Sequence, residues 1–253
     1  MDLRVVSCEH LGERYALLRL TSDDCLPEMI PGQFAEVRID GSHNTFLRRP
    51  ISINFLDRAR NEVWLLVAMV GEGTSRLGTL RRGDFLNCVI PLGNGFTMPQ
   101  SPQERVLLVG GGVGVAPLLF LGAALRQMGC MPTFLLGARK EADLVELDHF
   151  RALGRVLLTT EDGSAGERGF VTGHSVFSQE TFDRICTCGP KPMMMAVAKL
   201  AKAGDIPCEV SLENMMACGL GACLCCVEPT KEGNICVCKQ GPVLNINQLL
   251  WPV

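Results

Sequence analysis

The feature that most restricts how this chain can fold is a run of cysteines near its C-terminus. Six of the thirteen cysteines fall between Cys218 and Cys238. Cys218, Cys223 and Cys226 stand in a C-x4-C-x2-C run, and Cys236 and Cys238 follow after a short excursion. Three thiolates from one loop with a fourth from downstream is the plant-ferredoxin-type ligand spacing of a 2Fe–2S cluster. Gly219 and Gly221 let the backbone curl around such a cluster where a side chain would collide. They also leave amides free to point at the sulfur atoms, one means of setting a potential. Cys238 is the expected fourth ligand, with Cys236 as the alternative. Cys225, the intervening residue of C-x2-C, is surplus, and Cys236 is expected on the other side of an extended segment.

Other uses of clustered cysteine fit less well. A structural zinc site normally takes two separated C-x2-C pairs, and only one is present. A disulfide knot suits a small secreted domain, whereas this chain has 253 residues and shows no signal peptide. An odd number of cysteines in such a chain points to a reducing, cytoplasmic setting with metal-bound thiolates. The four histidines form no metal-binding pattern. A net charge of -3 gives no electrostatic footprint for nucleic acid or an anionic membrane.

Val106 to Leu125 is free of charged and polar side chains and about long enough to cross a bilayer. It also holds Gly110, Gly111, Gly112, Gly114 and Pro117, which would break a spanning helix. A buried strand, a glycine turn and a buried helix explain the run, and no membrane span is expected.

Residues 1–100 have the cadence of short strands separated by turns. Leu3–Ser7, Tyr15–Thr21, Gln33–Ile39, Ile51–Phe55, Glu62–Val70 and Asp84–Ile90 are the candidates, a set that suits a small closed antiparallel barrel. Two local signals within it can hold phosphate: Arg48-Arg49-Pro50-Ile51-Ser52 at a strand entry, which by itself reads better as a solvated arginine pair on a barrel rim, and Gly71-Glu72-Gly73-Thr74-Ser75 opening a short helix, as many helices open. After a linker at Pro99–Pro102 the rhythm alternates between strands and helices. Strands are expected at Arg105–Val109, Thr133–Leu136, Val156–Thr160, Arg184–Thr187 and Cys208–Ser211. Helices are expected at Pro117–Gln127, Glu141–Leu153 and Lys191–Ala203. This is the pattern of a parallel sheet flanked by helices, which binds ligands at strand ends near the reversal of strand order. Gly110 to Gly114 lacks the G-x-G-x-x-G fingerprint, yet bare backbone before a helix still suits a pyrophosphate. Cys188-Gly189-Pro190 is a second such turn on the same edge. The fold class is therefore multidomain β plus α/β, with a barrel over 1–100, a nucleotide-binding parallel-sheet unit over 101–208 and a cluster module over 209–253.

Certain segments in this order resemble the ferredoxin–NAD(P) reductase superfamily, and more closely the electron-transfer subunits of class 1B dihydroorotate dehydrogenases. They are Leu-Arg-Arg-Pro-Ile-Ser-Ile at 47–53, Val-Gly-Glu-Gly-Thr at 70–74, Pro-Leu-Gly-Asn-Gly-Phe at 91–96 and Gly-Gly-Gly-Val-Gly-Val-Ala-Pro at 110–117. Glu-Asp-Gly-Ser at 161–164, Cys-Gly-Pro at 188–190 and Ser-Leu-Glu at 211–213 complete the set. The resemblance implies FAD on the barrel, held by Arg49, Pro50, Ile51 and Ser52, a motif whose arginine meets the diphosphate and whose serine lies by the isoalloxazine, with Gly73 and Thr74 as the second phosphate contact and Leu66, Val67 and Ala68 along the flavin. Many superfamily members carry an aromatic residue where Ile51 stands. It implies NAD at Gly110, Gly111, Gly112, Gly114, Cys188, Gly189 and Pro190, and cluster ligation by Cys218, Cys223, Cys226 and Cys238. Arg139 and Lys140, after the second strand of the sheet, keep NADP open. The implied activity is electron transfer from an FMN-containing dihydroorotate dehydrogenase catalytic subunit, in an α2β2 heterotetramer, through the 2Fe–2S cluster and FAD to NAD+. Met215, Met216 and Leu224 either dock that partner or shield the cluster. The alternatives are a reductase subunit of a ferredoxin:NADP or hydrogenase-type complex, and a non-enzymatic redox-sensing or zinc-stabilised module.

Overall fold

The computed structural model describes residues 1–42 and 44–252. Strands β1 (Asp2–Leu11), β2 (Tyr15–Thr21), β3 (Phe34–Val37), β4 (Arg49–Asp57) and β5 (Glu62–Ala68) come first. After helix α1 (Glu72–Leu77) follows β6 (Phe85–Leu92). They close into an antiparallel barrel in the order β1-β2-β5-β4-β3-β6. Strand alternation turns Leu18, Leu20, Ile53, Val63, Leu65 and Val67 into the barrel interior. The opposite faces of β2 and β5 turn Tyr15, Leu17, Trp64 and Leu66 onto the next unit. A strand covered on both faces explains why Trp64 to Val67 reads as uniformly apolar.

The second unit runs β7 (Val106–Gly111), α2 (Ala116–Gln127), β8 (Thr133–Ala138), α3 (Leu147–Leu153), β9 (Arg155–Thr160), β10 (Glu167–Arg168), α4 (Val176–Gln179), β11 (Arg184–Cys188), α5 (Lys191–Ala203) and β12 (Cys208–Ser211). The expected helix over Glu141–Leu153 is broken. A 3-10 turn spans Glu141–Asp143, and Glu146 at φ 58 enters the left-handed region before α3 begins. The first turn closes at Leu144 in an extended conformation, and Glu146 occupies the N-cap position of the helix that follows.

The third unit is a hairpin of β13 (Val227–Thr230) and β14 (Gly233–Cys236), a helical turn α6 (Val237–Gln240) and β15 (Val243–Asn245). β15 pairs antiparallel with β12, so the parallel sheet gains an antiparallel edge strand. The sheet order is β10-β9-β8-β7-β11-β12-β15. Strand order therefore reverses between β7 and β11, the place where such sheets bind ligands. Among the described residues, no helix is long and apolar enough to cross a membrane.

Candidate functional site

The cysteine loop is shaped by positive-φ positions, with Gly219 at φ 67, Gly221 at φ 80 and Leu224 at φ 58. Leu224 is a branched residue in a region glycine favours, a strained position that the spacing gave no hint of. Curled this way, the loop aims amides at sulfur: Leu220 N–H donates to Cys218 Sγ at 3.3 Å and Gly221 N–H to Cys238 Sγ at 3.2 Å. Cys238 N–H donates to Cys226 Sγ at 3.4 Å. All thirteen cysteines are free thiols. The four thiols stand as two pairs, Cys218 with Cys223 and Cys226 with Cys238, the second pair buried in the core and the first nearer the surface. Among the described residues, no group of three or more His, Cys, Asp or Glu gathers as one metal ion requires. Two pairs of thiols are the donor set of a two-iron cluster, in which each iron takes two thiolates.

Their electrostatics differ in kind. The Leu220 and Cys223 amides, the Cys223 thiol and the Ala222 amide hold Cys218 down to about 6. Burial, with the Cys226 thiol beside it, pushes Cys238 up to about 12. Bound iron would make both thiolate. Cys236 is not turned away from the loop as an extended segment would require. The chain enters α6 directly after it, and its Sγ lies 3.7 Å from the Gly221 carbonyl.

A cavity of about 650 Å³ opens between barrel and cysteine loop. Arg49, Pro50, Ile51, Ser52, Leu66 and Ala68 line it from the barrel, and Met215, Met216 and Cys225 from the C-terminal module. Arg49 Nη1 donates to the Leu47 and Arg48 carbonyls, which fixes its guanidinium at the rim. Gly73 lies next to it: a Cβ there would stand 3.5 Å from Arg49 Nε. Thr74 Oγ1 accepts from the Val70 and Gly71 amides and caps its own helix beyond the cavity wall. The side chain of Ile51 packs in the barrel core, as does that of Val67, because strand alternation turns both inward. The arginine at the rim, the glycine beside it and a volume of about 650 Å³ fit a dinucleotide flavin.

A second cavity, of about 530 Å³, lies over the strand ends at the switch point. Gly111, Gly112 and Pro190 line it, with Arg139 and Glu161 from the ends of β8 and β9. Gly110 and Gly114 do not reach it and serve packing instead. A Cβ on Gly114 would come 2.4 Å from Gly189 Cα, so the two glycine turns touch through it. Ala68, Val113 and Glu213 line both cavities, which therefore meet.

Glu213 ends the Ser-Leu-Glu segment at 211–213, where no local pattern points to a role. Its carboxyl accepts from Cys188 Sγ at 3.8 Å at the meeting of the cavities, and desolvation there raises its pKa. Glu36 was also missed. It is fully buried on β3 with both carboxylate oxygens unpartnered, between Arg48 and the cysteine loop, and burial pushes it up to about 7. A lone acid in an apolar strand carries no signal that it faces another module.

A closed six-stranded barrel joined to a switch-point sheet defines a ferredoxin reductase-like fold, here with a C-terminal iron–sulfur module. Residues 213–250 match the family described as the iron-sulfur cluster binding domain of dihydroorotate dehydrogenase B. The electron transfer subunit of dihydroorotate dehydrogenase B (NAD(+)) from Shouchella clausii is 40% identical over 227 residues, 87% of this chain and 86% of that protein. The same subunit from Desulforamulus reducens is 35% identical over 259 residues, covering 99% and 98%. The structure of an NADH-dependent reduced ferredoxin-NADP oxidoreductase superposes with a TM-score of 0.88 at 30% identity, covering 98% of this chain and 90% of that one. The chain belongs to the family of dihydroorotate dehydrogenase B electron transfer subunits.

Proposed function

We propose that this chain takes electrons from a partner dihydroorotate dehydrogenase and passes them through a 2Fe–2S cluster and FAD to NAD+. When bound, a cluster exchanges single electrons, a nicotinamide accepts hydride, and a flavin handles both, which makes this order of carriers a converter between the two currencies. The observation that carries the reading is the continuity of the sites. Cys225, between two cluster ligands, lines the barrel cavity, and that cavity meets the second at Ala68, Val113 and Glu213.

The chain's own residues bind, orient and shield. Cys218, Cys223, Cys226 and Cys238 would hold the cluster, with the Leu220 and Gly221 amides donating to sulfur. Arg49 supplies the charge for the flavin diphosphate, with Gly73 admitting its close approach and Thr74 holding the α1 turn. Ser52, Leu66 and Ala68 wall the flavin ring, while Ile51 and Val67 support them from inside the barrel. Gly111, Gly112 and Pro190 approach the nicotinamide nucleotide, and Gly110, Gly114, Cys188 and Gly189 shape the turns that hold them. Phe170, exposed in the second cavity, offers a ring face to the adenine end. The units 1–100, 101–208 and 209–253 divide these three tasks.

The partner is an FMN-containing catalytic subunit, joined in a cytoplasmic α2β2 heterotetramer. It docks at the outer thiol pair, where Leu220 and Leu224 are exposed and Met215 is 81% exposed. Met216, at 7%, belongs to the core instead. A ferredoxin:NADP-type subunit is the second reading, favoured by Arg139 in the nucleotide cavity. The test is anaerobic purification followed by absorption spectroscopy with flavin and metal analysis, and NADH oxidation with an artificial acceptor. FAD, iron and NADH-dependent turnover are expected. A colourless zinc protein would refute the reading, and preference for NADPH would favour the second.

A further inference from the structure

β4 carries a bulge where it runs alongside β5. Ile53 pairs with Leu65 and Phe55 with Trp64, so β4 has one residue more across this step, and that residue is Asn54. An extra residue in a ladder bends the strand and re-aims a side chain. Here Ile53 and Leu56 keep their places in the barrel interior, while Phe55 turns outward, its ring 6.4 Å from that of Phe120 on α2. Asn54 turns outward with it and is fully buried against the nucleotide-binding unit.

There its amide meets two separate elements. Asn54 Nδ2 donates to the Ala116 carbonyl at 3.2 Å and to Glu146 Oε2 at 3.0 Å. Ala116 is the first residue of α2 and follows directly on the Gly112–Val115 turn. Glu146 is the left-handed residue that caps α3. Val113 lines both cavities and Ala116 lines the barrel cavity, so the bonded segment is the partition between the two sites. Asn54 Oδ1 and Glu146 Oε1 have no partner of their own. An apolar pair would pack this seam without orphaned atoms. The bonded amide is satisfied only while the two surfaces hold this register, because sliding them apart would leave Asn54 Nδ2 buried and unpartnered as well.

We infer that Asn54, with Glu146 behind it, is a positioning residue that sets the glycine turn of the nucleotide site against the flavin-bearing face of the barrel. The inference rests on the proposed function. It adds that the distance of approach between nicotinamide and flavin is set from the barrel side, through one side-chain amide. Because a misplacement of about 1 Å at a reacting pair lowers a rate by up to about a hundredfold, even a loosened turn is measurable.

The experiment compares Asn54→Ala and Asn54→Asp with the wild-type protein, each carrying FAD and cluster. The aspartate keeps the shape but lacks the donor. Stopped-flow reduction of the flavin at saturating NADH should slow by about tenfold or more in both variants. The charge-transfer absorbance of the nicotinamide–flavin pair should weaken, and amide hydrogen exchange over residues 112–118 should accelerate. Iron and FAD contents should stay at wild-type levels. Wild-type rates with wild-type exchange in either folded variant would overturn the inference. So would variants that lose FAD or unfold while their loaded fraction still reacts at the wild-type rate, because Asn54 would then be merely structural. Absence of NADH-to-flavin reduction in the wild-type protein would instead remove the proposed function.

Discussion

Replacing Gly219 by alanine tests whether the cysteine loop is held against the barrel as described. Gly219 sits at φ 67, and a Cβ there would lie 2.7 Å from Glu36 Cγ and 2.8 Å from Leu92 Cδ1. The left-handed conformation disfavours an L-residue by roughly 1–2 kcal/mol. Forcing a methyl into the packed seam adds roughly 1–3 kcal/mol, for a total of about 2–5 kcal/mol. Gly221 separates the two contributions. At φ 80 its closest neighbour would be Lys239 Cδ at 3.3 Å, the flexible part of a long chain, with Lys239 Cβ and Cys236 Cβ at ordinary contact distance, so Gly221→Ala should show chiefly the backbone strain. Gly173 has nothing within 4 Å and no positive φ, so Gly173→Ala is the blank. Iron per chain, visible absorption and thermal unfolding read the series. In a chain of this size each kcal/mol lowers Tm by about 2–4 °C, so Gly219→Ala should fall by of order 10 °C and lose iron. Full iron and a Tm within about a degree of Gly173→Ala would refute the reasoning.

Serine at Cys218, Cys223, Cys226 or Cys238 should each abolish the cluster absorption, whereas serine at Cys225 or Cys236 should retain it; iron analysis decides, and a colourless Cys236→Ser protein beside a coloured Cys238→Ser one would reassign the fourth ligand. Glu161 and Arg139 line the same end of the nucleotide cavity, so Glu161→Gln should raise kcat/KM for NADPH by about tenfold with little change for NADH. An unchanged NADPH to NADH ratio would remove the ribose from that end. Glu146 is pushed by burial from 4.5 to about 7, with Asn54, Arg19 and Glu9 facing it. The folded chain binds this proton more tightly, so its stabilisation is complete below 4.5, fades as pH rises and is gone above about 7. Denaturant titrations should show the wild type losing roughly 3 kcal/mol relative to Glu146→Gln across that window. Parallel pH profiles would refute the assignment.

Much of the architecture was legible because local pattern and tertiary role agree. Strands that alternate or run apolar between turns, such as Tyr15–Thr21, appear where the pattern puts them. Lys191–Ala203, bounded by Pro190 and Gly204, is a helix over that same range. The broken helix before Glu146 was illegible because no proline or glycine marks it, and the contact Glu146 makes there is with Asn54, 92 residues away on β4. The edge strand Val243–Asn245 is too short to carry a period and exists by pairing with β12. At the site, the C-x4-C-x2-C spacing points to three of the four proposed thiols, and the fold stands Cys218 with Cys223 and Cys226 with Cys238. The division of glycines into those that face a cavity, such as Gly112, and those that admit a neighbouring turn, such as Gly114, depends on what lies opposite. Glu213 and Glu36 owe their environments to surfaces that meet only on folding, and neither has a local pattern to betray it.

Electron transfer through this chain requires the cluster loop and the barrel cavity to be adjoining stations on one route. Mixing NADH anaerobically with cluster-loaded protein, with and without FAD, and following the electron paramagnetic resonance of the reduced cluster tests this directly. Reduction of the cluster should be prompt with FAD bound and absent without it. A cluster that stays oxidised in the flavin-loaded protein, or that NADH reduces equally fast without flavin, would contradict it.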